Sequence, residues 1–180
     1  MRGATLAMAV VLSCAGVAWA GFNVNVTRAP GFDPSSLTKV AVVITECHEA
    51  LDCRRLEREV AGELRNARPR WAVVVGDPVY SQLLALGKEH YSTELREPLA
   101  TAVGADALLE LSAPHASPGM MGRARSEVKL SLRLVRPTGE ILFVGDGTGR
   151  PVNTLSSPEK AAGEVAERIF DEVFSSAPRS

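Results

Sequence analysis

Residues 104–112 read Gly104-Ala105-Asp106-Ala107-Leu108-Leu109-Glu110-Leu111-Ser112, and they open the part of the sequence, residues 104–149, that decides the fold. The apolar run at residues 107–112 is short and follows turn-forming residues, which is typical of a strand buried inside a sheet. Residues 128–134 then alternate apolar and polar side chains, so they predict a strand with one buried face. Pro-Thr-Gly at residues 137–139 predicts a turn into another strand at residues 141–144, and hence an antiparallel hairpin.

Two buried strands are also predicted upstream of this segment. Residues 39–44 and residues 71–75 are continuous apolar runs rich in β-branched residues, which predict strands covered on both faces. Between them Asp52 can cap a helix, and Pro69 ends it. The apolar face of that helix recurs at helical spacing and consists of Leu56, Val60, Leu64 and Ala67. The side chains predicted to face water are Arg55, Glu57, Arg58, Glu59 and Glu63.

Three more helices are predicted further along the chain. Asp77 followed by proline is typical of an N-cap and a first helical position, and that helix stops at Gly87. The next helix spans residues 93–103, provided that Pro98 lies in its first turn. The last helix opens at Ser157. Its apolar face consists of Ala161, Val165, Ile169 and Val173.

The predicted order of elements is β-α-β-α-α-β-β-β-α. Strand–helix–strand connections favour parallel neighbours, whereas the late hairpin adds antiparallel strands. The prediction is an α/β (α+β) domain at residues 37–175, built on a single mixed parallel/antiparallel sheet with helices on both faces. Residues 21–36 are interpreted as an extended leader or linker, although the alternation in residues 22–26 also fits a short strand. Residues 176–180 are interpreted as a disordered tail.

Residues 1–20 predict export from the cytoplasm as a signal peptide. Arg2 precedes an apolar run at residues 4–12, and Ala-Trp-Ala at residues 18–20 supplies the small-x-small pattern of a signal-peptidase site. Cleavage there makes Gly21 the new N-terminus. The alternative is a lipoprotein box ending at Cys14, which would then be acylated. The mature chain is expected in the periplasm, or at the inner leaflet of the outer membrane if Cys14 is lipidated, and membrane association is expected only in that second case.

The charge balance argues against one class of partner. The chain has 20 lysine and arginine residues and 21 aspartate and glutamate residues, which gives a net charge of −1. Because no basic surplus is available to neutralise a phosphate backbone, nucleic acid is not expected as a partner.

A family resemblance rests on several short sequence motifs that occur in a fixed order along the chain. The motifs are Leu-Thr-Lys-Val-Ala-Val-Val at residues 37–43, Trp-Ala-Val-Val-Val at residues 71–75, Tyr80 and Leu83-Leu84 in the next helix, Gly-Ala-Asp-Ala-Leu-Leu at residues 104–109 and Pro-Thr-Gly-Glu-Ile at residues 137–141. Together they resemble the periplasmic α/β domain, of the TolB N-terminal type, that is shared by the curli-secretion channel subunit and the outer-membrane lipoproteins that activate penicillin-binding proteins. The resemblance covers residues 36–175. It implies an accessory or assembly role at the cell envelope.

Cys47 and Cys53 are the cysteines that remain after signal-peptide cleavage. In an oxidising compartment such an even pair predicts a disulfide that fixes the turn from the first buried strand into the first helix. The alternatives are free, partly buried thiols, a redox-active pair or a metal site. The other potential ligands nearby are Glu46, His48, Glu49 and Asp52. Cys-x5-Cys is neither a typical zinc spacing nor the Cys-x-x-Cys of thiol oxidoreductases, so no metal and no cofactor is predicted.

No catalytic residue is predicted. The chain has no Gly-x-Ser-x-Gly elbow of the kind that presents a nucleophilic serine. Residues 145–149, Gly-Asp-Gly-Thr-Gly, lack the Gly-Lys-Ser/Thr ending of a phosphate loop, so they predict a loop or bulge that closes a strand. Asp106 precedes a strand, which favours a role in a turn or cap over that of a catalytic acid.

The segment between the hairpin and the preceding strand, residues 113–126, is the candidate contact loop. Its candidate binding residues are His115, Met120, Met121, Arg123 and Arg125. Adjacent methionines offer adaptable apolar surface, and arginine guanidinium groups bind carboxylates. The alternative is that the methionine side chains pack beneath a mobile loop.

These features predict a non-enzymatic exported protein of the cell envelope, an accessory or adaptor that acts through contacts with an envelope protein. The alternative is a periplasmic module that binds a small ligand or a metal ion around residues 46–53, from Glu46 to Cys53. A hydrolase requires a convergent polar cluster that the sequence does not show. Neither the identity of the partner nor the oligomeric state follows from the sequence.

Overall fold

The computed structural model describes residues 21–117, 127–150 and 157–175. Within those residues the chain forms six strands, four α-helices and two short 3₁₀ helices, Pro34–Ser36 and Thr93–Leu95. The strands and α-helices are, in chain order, β1 (Phe22–Arg28), β2 (Lys39–Cys47), α1 (Cys53–Ala67), β3 (Ala72–Val74), α2 (Asp77–Ala85), α3 (Arg96–Val103), β4 (Ala107–Ser117), β5 (Glu127–Val135), β6 (Ile141–Gly149) and α4 (Pro158–Phe174).

The six strands of the described residues lie in one sheet, in the order β1-β6-β5-β4-β2-β3. β2 pairs in parallel with β3 and with β4, because α1 crosses over from β2 to β3, and α2 and α3 cross over from β3 to β4. The pairs β4–β5, β5–β6 and β1–β6 are antiparallel. The prediction of a single mixed sheet is therefore confirmed.

Two apolar layers cover the sheet. On one face α1 and α4 pack together over alternate side chains of the strands, with Val42, Leu109 and Leu132 fully buried beneath them. On the other face α2 and α3 cover the part of the sheet around Val43 and Leu108. Helices thus lie on both faces, as predicted. The second face of β5, β6 and β1, in the described part of the chain, carries mainly polar side chains, with Val144 as an apolar exception, and is not covered by a helix.

Residues 22–28 form a strand of the sheet, which corrects their interpretation as part of an extended leader or linker and agrees with the alternative of a short strand. β1 pairs with β6 along its whole length, from Phe22 opposite Gly149 to Arg28 opposite Phe143. The half-buried side chains of β1 pack against the core beside α4, while Asn23 and Asn25 are exposed. The alternation of apolar and polar residues therefore marks an edge strand with one buried face.

β4 is longer than the prediction of residues 107–112. It continues to Ser117, and the hairpin ladder ends with Ser117 opposite Glu127. Ala113 and His115 consequently lie in a strand, which corrects their assignment to a loop. A register shift between Ser112 and His115 interrupts the ladder, and alternation of the buried residues is lost there.

The predicted helix boundaries shift by a few residues. Gly76, with a φ of 75°, is the N-cap of α2, so Asp77 is the first helical residue and not the cap. This left-handed conformation suits glycine, because a Cβ atom is disfavoured there. The predicted helix at residues 93–103 divides into a 3₁₀ turn and α3, and Pro98 lies in the first turn of α3.

The glycine-rich residues 145–149 are part of β6, which corrects the prediction of a closing loop or bulge. Gly145, Gly147 and Gly149 alternate along the strand and face α4. A Cβ atom on Gly145 would overlap the Ile169 side chain, and one on Gly147 or Gly149 would overlap Val165. The glycines therefore let α4 approach the strand closely.

Among the described residues, no helix combines the length and the apolar character that a membrane crossing requires.

Candidate functional site

A pocket of about 470 Å³ opens at the carboxyl end of β2, between the start of α1, the buried side of α2 and the chain that leads to α3. Ligands of open α/β sheets bind at this end of the parallel strands. The pocket is lined by Val43, Ile44, Thr45, Glu46, Cys47, Cys53, Arg54, Glu57, Val79, Tyr80, Leu83, Glu89, His90 and Tyr91.

A disulfide joins Cys47, the last residue of β2, to Cys53, the first residue of α1. Their Cα atoms lie 6.1 Å apart. Asp52 accepts a hydrogen bond of 3.0 Å from the Arg55 backbone N–H and so caps α1. The disulfide and the cap together fix the turn that forms one wall of the pocket.

Glu57 is the most unusual polar residue of this wall, because its side chain is buried, with 1% of the residue exposed. Its Oε1 atom accepts a hydrogen bond of 2.6 Å from the Tyr80 hydroxyl of α2. Its Oε2 atom has no hydrogen-bond partner among the described residues. A buried polar atom without a partner costs about 1–3 kcal/mol, and a charged one more, so it calls for an explanation.

Burial raises the pKa of the Glu57 carboxyl above its usual range, against the opposing effects of the Tyr80 hydrogen bond and of Arg54 and Arg58. Burial also raises the pKa of the Tyr80 hydroxyl, and the hydrogen bond to Glu57 adds to that effect. The pair therefore keeps the phenol protonated and makes the carboxylate costly to ionise.

The Arg54 side chain packs against the Tyr80 ring of this pair. Its guanidinium carbon is 3.5 Å from the centroid of the Tyr80 ring, within the range of a cation–π contact. Its NH1 group also donates a 3.2 Å hydrogen bond to Asp77, whose side chain is 95% exposed. An ion pair with such an exposed partner contributes only about 0–1 kcal/mol, so Asp77 holds the Arg54 side chain weakly.

The rest of the pocket wall is acidic, aromatic and apolar. Glu46 and Glu89 are exposed at the rim together with His90. The floor is made by the buried side chains of Val43, Val79 and Leu83. The pocket can thus accept a ligand that has both an apolar body and a group complementary to a carboxylate.

A second buried carboxylate, Glu110 of β4, is fully paired. Its Oε1 atom accepts hydrogen bonds from the Tyr91 hydroxyl at 2.6 Å and from Arg96 Nε at 2.7 Å, and its Oε2 atom accepts one from the second Arg96 nitrogen at 3.2 Å. These bonds hold the start of α3 against the sheet. Since the cluster satisfies itself, it is a structural element rather than a site.

The polar face of β1, β5 and β6 forms a shallow groove of about 390 Å³. The polar side chains that line it are Asn23, Asn25, Lys129, Ser131, Asp146 and Thr148. The groove is open and mixed in charge, which fits a surface that faces water or another protein.

The outer edge of β1 is an open strand edge. Arg150 N–H donates to the Gly21 carbonyl and Ala29 N–H donates to the Leu142 carbonyl, so the backbone groups of every second residue point towards β6. The backbone groups of Val24 and Val26 consequently point away from it. No hydrogen bond within the described residues reaches this side of β1.

The two cysteines predicted to pair are brought together, whereas the other potential ligands around them have different roles. Glu46 accepts a 2.9 Å hydrogen bond from Ser112 Oγ, and His48 Nδ1 accepts one of 3.1 Å from the Ala50 backbone. No group of three potential metal ligands occurs in the described part of the chain.

The candidate contact loop is described only at its start. His115 lies in β4, with its ring centroid 6.1 Å from that of His48. The other four candidates, Met120, Met121, Arg123 and Arg125, lie outside the described residues, and so does Cys14. Their proposed roles stay predictions.

The Asp106 side chain connects the start of β4 to the start of β2. Its Oδ2 atom accepts hydrogen bonds from the Thr38 backbone and hydroxyl, both at 2.7 Å, and from the Lys39 backbone at 2.9 Å. These bonds hold the start of β4 beside the start of β2, so Asp106 acts between strands and not in the local turn or cap that was predicted. The backbone and hydroxyl hydrogen bonds from Thr38 keep the pKa of Asp106 below its usual range.

Sequence reasoning missed Glu57, which was predicted to face water. The prediction was wrong because the apolar face of α1 also includes Ala61, which is buried with Leu56, Val60 and Leu64. At about 100° per residue, Glu57 lies inside the arc that these four residues define, between Leu64 and Ala61. A helical projection that includes alanine therefore places the carboxylate inside.

No protein-family model matches the chain, and no curated protein sequence matches it. The fold is similar to that of a PelC dodecamer from Paraburkholderia phytofirmans, with a TM-score of 0.60 and 15% identity over 85% of this chain and 97% of that chain. A variant of the same dodecamer gives a TM-score of 0.61 and 16% identity over 85% and 98%.

The fold is also similar to that of the lipoprotein GNA1162 from Neisseria meningitidis, with a TM-score of 0.54 and 14% identity over 76% of this chain and 97% of that chain. Identities this low show a shared fold and leave the function open. The narrower resemblance to curli-secretion subunits and activators of penicillin-binding proteins stays a prediction. What the comparisons establish is a fold that a bacterial lipoprotein and a dodecamer-forming protein share with this chain.

Proposed function

We propose that this chain is an exported accessory protein of the cell envelope that acts through protein contacts and assembles with copies of itself. The signal-peptide pattern at residues 1–20 supports export. The Cys47–Cys53 disulfide supports an oxidising compartment, and the fold shared with a lipoprotein supports the envelope. The PelC structures are dodecamers, which supports assembly.

The open edge of β1 carries the self-assembly part of the proposal. A strand of seven residues with unpaired outward backbone groups is a template for another strand. The opposite edge is a poorer template, because β3 has only three residues and an Arg65 nitrogen donates a 3.0 Å hydrogen bond to the Val73 carbonyl. The β1 edge is therefore more suitable than the β3 edge for pairing with another strand.

Because the β1 edge is the better template, a symmetric contact between the β1 edges of two copies is favoured. Two copies can place β1 beside β1 in antiparallel orientation about a two-fold axis, which joins two sheets into one. An assembly larger than a dimer then needs a second surface. The segment between β4 and β5, which includes Met120 and Arg123, is the proposed second surface and the proposed contact with an envelope partner.

Sedimentation-velocity ultracentrifugation of the chain from Gly21 onwards tests the edge. We expect dimers or larger even-numbered species for the natural sequence. Val24→Pro removes an outward N–H group without removing a bond to β6, so it should shift the species to monomer. Val24→Ala is the matched control, since it trims the same side chain but keeps the N–H group. Monomer at every concentration, or assembly of Val24→Pro equal to that of Val24→Ala, contradicts the proposal.

A separate variant tests the second surface. Because Ser117 and Glu127 are opposite each other, an Asn-Gly turn can replace residues 118–126 and close the hairpin. We expect thermal unfolding to stay unchanged while species larger than dimer disappear. Retention of the larger species by this variant would reject the role of the segment and leave the β1 contact standing.

A further inference from the structure

We propose that the pocket at the carboxyl end of β2 binds a small organic cation, with the ammonium group of the ligand donating a hydrogen bond to Glu57 Oε2. The proposal is independent of self-assembly, because the pocket lies within one copy of the chain. It gives the unpartnered carboxylate oxygen the donor that the described residues do not supply.

The charges around the pocket favour a cation over an anion. Glu46, Glu57 and Glu89 line the pocket, and Arg54 is the arginine that lines it. Arg54 is already paired with Asp77, an acidic residue outside the lining set. An anion would therefore meet three acidic side chains, and one of them, Glu57, is buried, where repulsion is poorly screened.

The position of Arg54 indicates where the cation binds. Its guanidinium group lies over the Tyr80 ring, next to the residue that contacts Glu57. This arrangement demonstrates that the ring face accepts a positive charge. Glu57 Oε2 is shielded from water, so a ligand must displace a side chain to reach it, and Arg54, whose ion-pair partner Asp77 is 95% exposed, is the side chain that we expect it to displace. Arg54 therefore acts as an internal competitor that the ligand replaces.

The apolar floor selects an organic cation over a metal ion. Val43, Val79 and Leu83 offer no ligand atoms, whereas they can bury an alkyl or aryl group. The Tyr91 ring lies on the same wall, with its hydroxyl already bonded to Glu110. A ligand with one ammonium group and a short apolar body matches these surfaces.

Titration with 2-phenylethylammonium, followed by two-dimensional ¹H–¹⁵N NMR, tests the site. We expect saturable shifts at residues 54–57 and 79–83, and at least about tenfold weaker binding of the neutral matched probe 2-phenylethanol. Glu57→Gln keeps the shape of the side chain and should weaken binding of the ammonium probe about tenfold or more. Arg54→Ala removes the competitor and should strengthen it.

Glu140→Gln is the matched control, because it removes one carboxylate at the β5–β6 turn, where Glu140 pairs with Arg136. It should leave the affinity unchanged. Equal binding of the two probes, an unchanged affinity in Glu57→Gln, or weaker binding in Arg54→Ala would overturn the proposal. Saturable shifts at the same residues with Ca²⁺ or Zn²⁺ and none with the ammonium probe would also overturn it. The NMR shifts report on the site in monomers and in assemblies alike, so the outcome is separate from that of the ultracentrifugation.

Discussion

The Tyr80 hydroxyl donates a 2.6 Å hydrogen bond to Glu57 Oε1, while the second oxygen of the same buried carboxylate has no partner in the described part of the chain. The bond connects α2 to α1 across the pocket. It gives Oε1 of the carboxylate a hydrogen-bond donor and leaves Oε2 without one among the described residues. This asymmetry distinguishes Glu57 from Glu110, both of whose oxygens are bonded.

Glu57→Gln is expected to stabilise the unliganded protein at neutral pH, by about 1–2 kcal/mol. The glutamine oxygen can still accept the Tyr80 hydrogen bond, and the neutral amide is less costly to bury than a carboxylate. Chemical denaturation of both proteins checks this. A lower free energy of unfolding in the variant would show that the unpartnered oxygen is not a source of instability.

The pH dependence of that difference has a defined sign. The folded pKa of Glu57 is raised, so the folded state holds more protons than the unfolded state between the usual carboxyl range and the folded pKa. The stability of the natural protein therefore falls as pH rises through this window. The groups that act on Glu57 are Tyr80 of α2 and Arg54 and Arg58 of α1. We expect the advantage of Glu57→Gln to shrink as pH falls towards 4.5; a constant difference would contradict the raised pKa.

Asp106→Asn is expected to show the opposite pH dependence. Its carboxylate accepts three hydrogen bonds from Thr38 and Lys39, and the folded pKa is lowered. The stabilisation is present above the unfolded pKa and is lost as pH falls through the folded pKa. The variant should therefore lose about 1–2 kcal/mol near neutral pH, and the loss should diminish in strong acid. Denaturation series from neutral pH to about pH 2 measure both effects; a deficit that grows in acid would contradict the lowered pKa.

Replacing both Cys47 and Cys53 with serine is expected to reduce the free energy of unfolding by about 2.4 kcal/mol, because the short closed loop no longer restricts the unfolded chain. Urea denaturation measures the loss. Reducing agent supplies the control: it should destabilise the natural protein by a similar amount and leave the double variant unchanged. A variant as stable as the oxidised protein would show that packing alone fixes the turn.

Gly147→Ala is expected to destabilise the fold by about 1–3 kcal/mol, because the added methyl group overlaps Val165 of α4. Gly62→Ala is the matched control. It makes the same change within α1, where no atom lies within 4 Å of the added carbon, and should stabilise by about 0.5–1 kcal/mol. Thermal unfolding of both variants shows whether the two substitutions change the stability in opposite directions. Equal effects would show that α4 does not depend on the glycines of β6.

Local patterns in the sequence predicted the fold class and the order of the elements from β2 onwards. The β-branched runs of β2 and β3, the alternation of β5 and the Pro-Thr-Gly turn each depend on neighbours along the chain. The signal at β1 was weaker. Its alternation also fitted a short strand, but an extended leader or linker was predicted, because pairing with β6 joins residues far apart in sequence.

The amino-acid sequence by itself determined the mixed sheet, the layers of helices and the cysteine pair, since apolar periodicity and spacing are local properties. Only the tertiary structure decided that Tyr80 donates a hydrogen bond to Glu57 and that α4 packs against the glycines of β6. The physical reason is that burial and hydrogen bonding depend on which surfaces meet. A residue on one helix cannot reveal what the next helix places beside it.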